Sequence, residues 1–552
     1  MSSTSTETMS QATSSSGSQA AGDGKPAARK KLTLAILSLS AFVIFLDGTV
    51  VNTALPSIAR DFSANNSVLQ WVVNMYSLIL AGFLLLAGSV GDRFGRKRAL
   101  TVGMVIFGVA SVGAALSTGS TSLIAMRGLQ GFGAAFALPS TLSIITDVFP
   151  REERAKAIAT WTAVGSLGIV VGPALGGYLV DNFQWSAVFW MHIPVVAVAI
   201  VGTQFLQVSR DEHKVQLDIP GAALATTGLL ALVFGIIQGG ETGWTSPLIV
   251  GSFIVGGSLL AAFALVEIGS SHPMLPFEFF KRRDFTGSFV VLMLLMLGMV
   301  GVFFFLTQFF QLVQGRSALV AGLALTPVAA TMMMGAGFAT KAVPRLGPKA
   351  VILVAGLIIF SGMAVFSTIE VHTAIWVPML AIALFGLGAG MAIPTVTDSI
   401  MAAVPVSKAG VGSAMNDLSR ELGIALGVAV LGSLVASLYR SDVKDAVSGL
   451  VPEDSAEIIG DSLGSIGSVT ADLPPDTALA VSEAANQTFV DALNIGFLAA
   501  AAFVGVAIVV AAVMIPRQAR STQVEGDDVL DTDNTSPRAT VLVSDPVVSV
   551  AD

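Results

Sequence analysis

A carboxylate in the middle of an apolar run is the residue of this 552-residue chain best placed to carry chemistry. Asp47 lies within the apolar run 32–56. At the centre of a bilayer a carboxylate costs roughly 2.5–3.5 kcal/mol or more, so it persists only beside a polar cavity or a partner. A carboxyl group in that setting could take up a proton from one side of the membrane and release it to the other. The alternative is a structural acid bonded to Asn52 or to a backbone group.

A guanidinium group occupies another apolar run, 121–146. Arg127 cannot lose its proton in a protein, so it must find an acceptor or a water-filled cleft. Gly128, Gly131 and Gly133 follow it and let other helices approach closely. Arg127 could therefore favour the charged form of a nearby carboxylate in one conformation and release it in another. Alternatively, it only holds helices together.

Three charged residues lie close together in a later apolar run, 409–438. Asp417 and Arg420 are three residues apart, so a helix would bring them together as an ion pair. Glu421 lies one residue further and could face a central cavity as a second titratable site.

Further side chains within the apolar runs could line a pocket for a small molecule. Methionine adapts to varied apolar shapes, and a few polar groups can fix the orientation of a ligand. More often, such residues join neighbouring helices or fill the core. The candidates are Asn52, Asn74, Tyr76, Gln130, Gln308, Gln311, Met333 and Asn416.

The composition excludes several classes of protein. With 53% hydrophobic and 12% charged residues and a mean hydropathy of +0.79, the chain is typical of a polytopic membrane protein. It has no cysteine, its four histidines are widely separated, and no phosphate-binding loop is present, so we expect no disulfide, metal site or nucleotide hydrolysis. We also expect no cofactor, no nucleic-acid partner and no enzyme activity. Any energy source, such as a proton gradient, must lie outside the chain.

Fourteen apolar runs are long enough to be membrane helices, because about 20 residues cross about 30 Å of hydrocarbon. Of the 29 Lys and Arg residues, 23 fall on one side of such a chain and 4 on the other. The positive-inside rule then predicts a cell (cytoplasmic) membrane protein with both termini in the cytoplasm. The runs are 32–56, 69–90, 99–117, 121–146, 157–180, 187–208, 219–238, 248–268, 286–313, 318–340, 349–368, 374–400, 409–438 and 492–515.

An internal repeat divides these runs into two halves. The charged turn 93–97 is echoed at 345–349, and the glycine spacing of 168–172 is echoed at 423–427. Two related halves around a central path are the architecture of an alternating-access carrier. We therefore predict an all-α polytopic membrane protein with the following divisions. They are a disordered tail 1–31, a six-helix bundle 32–208, two inserted helices 219–268, a six-helix bundle 286–515 with an external polar loop 441–490, and a disordered tail 516–552.

The segment 91–98 is a short loop with five charges between two uncharged runs. Its Asp and cations could bind groups at the cytoplasmic helix ends only when the two halves meet there, and so act as a conformational latch. Retention of positive charge for orientation alone explains the last three cations but not the Asp and the two glycines. The latch candidates are Gly91, Asp92, Arg93, Gly95 and Arg96.

The apolar run 157–180 has small residues at four-residue intervals and an internal proline. Small residues allow close helix packing, and proline removes a backbone donor and bends the helix. This pattern would suit a moving interface that seals the external path against proton leak. The residues are Gly168, Gly172, Pro173, Gly176 and Gly177.

Four of these motifs together resemble the major facilitator superfamily. The segment 91–98 resembles its loop 2–3 signature, 127–133 its fourth-helix motif, and 168–177 its antiporter motif. The segment 46–56 looks like the first-helix motif of the fourteen-span drug/proton antiporter branch, the EmrB/QacA type. The similarity covers about residues 32–515.

The resemblance implies two pseudo-symmetric six-helix bundles plus two inserted helices, and proton-driven export of amphipathic, often cationic drugs by a monomer in the lipid bilayer. It implies that Asp47 is a coupling carboxylate and that Arg127 takes part in proton handling. The chain departs from the family pattern at Gln184–Ser186, at His192 and at Glu421. Alternatives are a dedicated exporter of one endogenous metabolite and a non-transporting membrane sensor or scaffold.

Overall fold

A computed structural model describes residues 24–206, 217–270, 273, 275–405 and 409–517, and this part of the chain is helical. The all-α prediction is therefore confirmed for the described residues. The N-terminal bundle comprises α1 Gly24–Phe62, α2 Asn66–Phe94, α3 Arg96–Ala115, α4 Ser120–Val148, α5 Arg151–Asn182, α6 Ala187–Trp190 and α7 His192–Thr203. Two inserted helices follow, α8 Ile219–Thr242 and α9 Pro247–Gly269.

The C-terminal bundle begins with a 3-10 turn, Phe277–Lys281, and contains a π-helical turn at Phe309–Val313. Its helices are α10 Arg283–Gln308, α11 Ala318–Leu325, α12 Pro327–Phe366, α13 Trp376–Ala402, α14 Ala409–Ala446, α15 Glu453–Asp461, α16 Ile466–Thr470 and α17 Pro475–Met514.

Twelve helices in the described residues are long and apolar enough to cross a membrane. The prediction of fourteen spans is not confirmed by this count. Two places account for the difference. The helical segment Ala187–Thr203 is apolar but short, and Ala318–Phe366 is counted once although its 49 residues would reach about 70 Å as a single helix, more than twice the hydrocarbon thickness.

The segment Ala318–Phe366 reverses direction at Gly347. This residue has φ 79° and ψ 159°, a conformation that favours glycine, and Pro344 and Pro348 flank it. Before the reversal, Val328 and Met332 pack in parallel order against Gly386 and Gly390 of α13. After it, the order against α13 is antiparallel, with Ala355 against Gly388 and Gly362 against Ala381. The two arms therefore run in opposite directions.

Three predicted segment boundaries need correction. Helix α1 begins at Gly24, inside the predicted tail 1–31, because Ala and Lys are good helix formers and Lys30 pairs with Glu153 of α5 at 2.8 Å. Residues 1–23 and 518–552 lie outside the described residues. The predicted external loop 441–490 is largely helical. It contains α15 and α16, the last turns of α14, and the first turns of α17, which starts at Pro475 instead of residue 492.

The inserted helices pack asymmetrically. Helix α8 lies in the groove between α2 and α14, where Leu78, Val233, Ile237, Ala425 and Ala429 form an apolar cluster. Helix α9 packs mainly against α8, and its Phe263 and Glu267 contact Phe277 and Leu275 of the segment that precedes α10. The α8 helix therefore touches both six-helix bundles.

The reversal at Gly347 predicts that Arg316 and Glu370, which are both exposed, lie on the outer side of the membrane and that exposed Leu346 lies on the cytoplasmic side. The chain is naturally free of cysteine, so Arg316→Cys, Leu346→Cys and Glu370→Cys can each be made as a single label site. A membrane-impermeant maleimide applied to intact cells should label positions 316 and 370 only, and position 346 should react after permeabilisation. Labelling of 316 and 370 from opposite sides would mean that Ala318–Phe366 crosses once.

Candidate transport site

A buried ion pair joins α1 to α4. Arg127 Nη1 donates a hydrogen bond of 2.6 Å to Asp47 Oδ2, and the two side chains are 2% and 0% exposed. Arg127 Nε donates to Val72 O of α2 at 3.0 Å, and the ring of Tyr76 lies 4.6 Å from the guanidinium carbon. The guanidinium is thus held on three sides. The two residues predicted to need partners are each other's partner.

Gln130 extends this pair into a hydrogen-bonded chain. Its Oε1 accepts from Arg127 Nη1 at 2.9 Å, and its Nε2 lies 3.5 Å from Asp47 Oδ1. The same Nε2 donates to Ser111 Oγ of α3 at 2.9 Å, and Ser111 in turn donates to Phe107 O. Gln130, proposed above as a cavity residue, is therefore a member of the ion-pair cluster.

His192 lies on the other side of the carboxylate. Its Nδ1 is 3.8 Å from Asp47 Oδ1, and the side chain is fully buried between the rings of Phe107 and Phe189. Neither ring nitrogen has a hydrogen-bond partner. Asn52, the alternative partner considered for Asp47, leaves its own Oδ1 without a hydrogen bond.

Glu421 belongs to a second cluster, on α14. Ser77 of α2 lies near its carboxylate, and Oε2 is buried without a hydrogen-bond partner. Arg420 Nη1 is 3.7 Å from Asp417 Oδ1, which confirms the predicted ion pair. The Arg420 guanidinium also lies 5.6 Å from the ring of Phe45 on α1. This cluster thus spans the boundary between the two bundles.

Tyr76 lies between the two clusters. It is buried and close enough to Asp47, Arg127 and Glu421 to interact with all three charges. The phenol oxygen is 3.5 Å from Ile44 O. The two carboxylates predicted from the sequence therefore both act electrostatically on one tyrosine, although they come from different halves of the chain.

The other predicted cavity residues have varied surroundings, and their role in binding stays a prediction. Gln308 Nε2 bonds to Phe304 O of its own helix, and Gln311 Nε2 donates to Thr53 O of α1 at 3.1 Å. Asn416 accepts a hydrogen bond from Thr397. Asn74 is fully buried with neither amide atom bonded, whereas Met333 is 74% exposed.

The antiporter-like run on α5 faces two helices. Gly168, Gly172 and Gly176 pack against α1, where their missing side chains make room for Phe42, Leu46, Thr49, Val50 and Thr53. Gly177 instead packs against the backbone of Ala318 and Leu319 on α11, and Gly322 of α11 packs against Pro173 O. The run therefore joins α1 to the opposite bundle.

Asp181 accepts two hydrogen bonds across the same interface between α5 and α11. Its Oδ1 accepts from Ala318 N at 2.9 Å and its Oδ2 from Leu319 N at 2.8 Å. A carboxylate on the first amides of α11 satisfies donors that a helix start leaves free and matches the positive end of the helix dipole. The sequence analysis missed Asp181. Its only sequence signal is that it is the single acid next to the predicted motif.

The contacts described for the loop 91–98 include several within the N-terminal bundle. Gly95 has φ 110°, which lets α2 turn directly into α3. Arg96 Nε donates to Asp92 Oδ1 at 2.8 Å, and its Nη1 contacts Asp147 of α4. Gly91 packs against Ala99 and Ser140, and Arg93 is exposed. Contact between these residues and the other bundle stays a prediction.

Comparison with known proteins agrees with this architecture. The family model described as Major Facilitator Superfamily matches residues 37–428. This chain belongs to that superfamily. A relative that is 34% identical is the multidrug efflux pump LfrA of Mycolicibacterium smegmatis, over 87% of this chain and 96% of the relative. The puromycin resistance protein pur8 of Streptomyces alboniger is 35% identical over 74% of this chain and 82% of the relative.

A solved structure supports the fold. The bacterial homologue of the human lysosomal transporter Spinster, in an inward-facing and unoccupied conformation, has a TM-score of 0.56 at 17% identity, covering 87% of this chain and 97% of that one. The major facilitator fold is thus shown, and the protein is a membrane transporter and not an enzyme. Its assignment to the fourteen-span branch stays a prediction.

The burial of the Asp47–Arg127 pair gives a stability prediction for this transporter. Asp47→Asn should lower the free energy of unfolding by about 3–5 kcal/mol, because it leaves the Arg127 charge buried without a counter-charge. Adding Arg127→Gln should recover much of this loss. Thermal unfolding in detergent measures both, with Glu457→Gln as the control, since its pair with Lys444 is exposed and worth about 0–1 kcal/mol. Equal unfolding of Asp47→Asn and Glu457→Gln would contradict the buried pair.

The contact of Gly177 with α11 gives a second prediction. Gly177→Ala should push α5 away from α11 and slow transport about tenfold, because overpacking costs about 1–3 kcal/mol. Spin labels at Phe183→Cys and Arg316→Cys, on exposed positions next to this interface, should report a longer distance. Gly251→Ala is the matched control, since nothing lies within 4 Å of its added Cβ. An unchanged distance distribution in Gly177→Ala would count against the packing.

Proposed function

We propose that this transporter exports amphipathic, cationic drugs or related small molecules across the cytoplasmic membrane in exchange for protons. It works as a monomer in the lipid bilayer, with fourteen crossings and both termini in the cytoplasm. The observation that carries the proposal is the buried Asp47–Arg127 pair. A charged pair without exposure to water is costly and is only weakly justified by stability, so a role in coupling is the more economical explanation.

The helix packing supports the transmission of a movement from the ion pair to the interface between the bundles. Protonation of Asp47 would remove its charge and release it from Arg127, which keeps Val72 O and Gln130 as partners. Helix α1 would then be free to shift against α4. Since α1 packs along the glycines of α5, and α5 packs on α11, a shift of α1 would reach the opposite bundle.

The contacts between the bundles support an inward-facing state. Asp181 and Gly177 join α5 to the start of α11, and Gln311 joins the C-terminal bundle to Thr53. These residues belong to the ends of the helices that the charge distribution places outside. At the cytoplasmic ends, Asp92 pairs with Arg96 inside its own bundle. We therefore propose that loop 91–98 meets the other bundle only in the outward-facing state.

Two features support fourteen crossings. The opposed arms on either side of Gly347 each pack along α13. The segment that contains α6 and α7 reaches both ends of the N-terminal bundle: Trp185 Nε1 donates to Asp61 at 2.7 Å, and Lys97 donates to Gln204 O at 3.1 Å. Each arm and this segment would then be a separate crossing.

The substrate class is supported by charge and by relatives. Glu421 offers a buried carboxylate oxygen without a hydrogen-bond partner, and an acid in this setting suits an organic cation as its counter-charge. A multidrug efflux pump is 34% identical to this chain. The second candidate function is export of a single compound. It is favoured by the relative whose name mentions resistance to one compound, puromycin.

Transport into inverted membrane vesicles tests the proposal. When the vesicle interior is made acidic, vesicles with the intact protein should accumulate ethidium. The gradient-driven rate should be at least about tenfold lower in Asp47→Asn, as expected for removal of a proton-binding group. Asp472→Asn is the control, because it makes the same change at an exposed position between α16 and α17. Gradient-driven uptake at the intact rate in Asp47→Asn would refute proton coupling through this residue. If only one compound in a panel of drugs is transported in this assay, the dedicated exporter would be favoured.

A further inference from the structure

Arg127 and Arg420 both lie within membrane-spanning helices, but they are held in different ways. The Arg127 side chain is 2% exposed and donates a hydrogen bond of 2.6 Å to Asp47. Arg420 Nη1 is 3.7 Å from Asp417 Oδ1, which is longer than a hydrogen bond, and its side chain is 24% exposed. Ion pairs that are loose and partly exposed contribute little to stability. Arg420 can therefore leave its place far more easily than Arg127.

The place that Arg420 occupies has the chemistry of a site for an organic cation. Its guanidinium carbon is 5.6 Å from the centre of the Phe45 ring on α1, a distance at which a cation is attracted to an aromatic face. Trp161 of α5 lies edge-on to the Phe45 ring, with 6.1 Å between the ring centres. Arg420 also interacts with the charges of Asp417 and Glu421. An aromatic ring and two acids would attract other cations as well as a guanidinium.

Open space adjoins the Phe45 ring. Gly48 follows it by three residues on α1, so the two lie on the same side of this helix. Gly48 is exposed, and nothing lies within 4 Å of a Cβ added there. Because Arg420 reaches this side of α1 from the C-terminal bundle, the space lies between the two bundles. It offers room for the bulky groups that an amphipathic cation carries and a guanidinium lacks.

We propose that Arg420 occupies the subsite for the cationic group of the substrate, and that the substrate displaces it from the Phe45 ring and from Asp417. The proposal rests on the proposed function, because it takes the substrate to be a cation. The displaced guanidinium moves further into the water that already reaches it. Arg420 is thus a competitor built into the chain.

This competition would select substrates by their apolar surface. A small hydrophilic cation gains only the charge interactions that Arg420 already makes, so it has no advantage over the arginine. An amphipathic cation makes the same interactions and also removes apolar surface from water in the space beside Gly48. Arg420 would therefore be a specificity-determining residue that favours amphipathic cations over hydrophilic ones.

Equilibrium binding of tetraphenylphosphonium to the purified transporter, at one fixed pH, tests the competition. Arg420→Gln should bind this cation about tenfold more tightly, because the Phe45 ring and Asp417 no longer have a competing partner. Arg282→Gln is the matched control. It removes an arginine from another partly exposed ion pair, with Asp284 at the start of α10, and should leave the affinity within about twofold. Unchanged affinity in Arg420→Gln would overturn the proposal.

The loss of a nearby positive charge could by itself strengthen the binding of a cation, and Phe45→Leu separates this effect from displacement. In Arg420→Gln, adding Phe45→Leu should weaken binding about fivefold, because the ligand then loses the ring. In the intact protein, Phe45→Leu should weaken binding by less than about twofold, since it weakens the ligand and the competing arginine together. An equal loss in both backgrounds would mean simple repulsion and would overturn displacement.

A second measurement leaves Arg420 in place. With 4-fluorophenylalanine at position 45, saturating tetraphenylphosphonium should shift the fluorine resonance. The resonance of the bound state should be the same in the otherwise intact protein and in Arg420→Gln, because the arginine has left the ring in both. The resonances of the empty proteins should differ. A resonance that tetraphenylphosphonium does not move in the otherwise intact protein would refute the displacement.

These outcomes are separate from those of the proposed function. If tetraphenylphosphonium binds to neither the intact protein nor Arg420→Gln, the cationic substrate class is refuted together with this proposal. If it binds to both with the same affinity, only the displacement is refuted. Neither measurement uses a proton gradient, so the result does not depend on vesicle transport by Asp47→Asn.

Discussion

The positive charge of Arg127 is the constraint on which the N-terminal bundle depends. It cannot be neutralised by losing a proton, so the interior must supply acceptors from several helices at once. Asp47, Val72 O and Gln130 do so from α1, α2 and α4, and Ser111 connects the cluster to α3. Four helices are thus positioned by one guanidinium, and any change in the charge of Asp47 alters the balance among them.

The second carboxylate, Glu421, is held by different means. It lies at the boundary of the bundles, near Ser77, where Arg420 is directed to Asp417 and the Phe45 ring. The Asp47 carboxylate is hydrogen-bonded to Arg127, whereas Glu421 leaves a buried oxygen unbonded. This difference would suit the two proposed roles, in which the Asp47–Arg127 pair responds to protons and Glu421 meets a charged substrate.

Much of the architecture follows from the sequence because hydrocarbon imposes simple rules on length and charge. Asp47 and Arg127 were predictable as residues in need of partners, since an isolated charge in an apolar run is costly. Their mutual pairing was not, because 80 residues separate them and periodicity carries no information on which helices meet. Asp181 was missed for a related reason: its role depends on where α11 begins in space. The helices within 441–490 could not be delimited from the sequence, because polar residues in water give no apolar period that marks where a helix begins and ends.

The placement of α8 has a mechanical consequence. It is wedged between α2 and α14, where Thr226 packs on Gly82 and Gly240 packs on Ser433. Separation of the bundles along this seam would have to break the direct interface of α2 with α14 and one of the two interfaces of α8, whereas the seam between α5 and α11 is joined by one helix interface. The stiffness of the molecule is therefore unequal around its central axis. If the two bundles rock against each other, the gap between them would open least beside α8 and most on the far side. Helix α8 would then lie at the hinge of the motion.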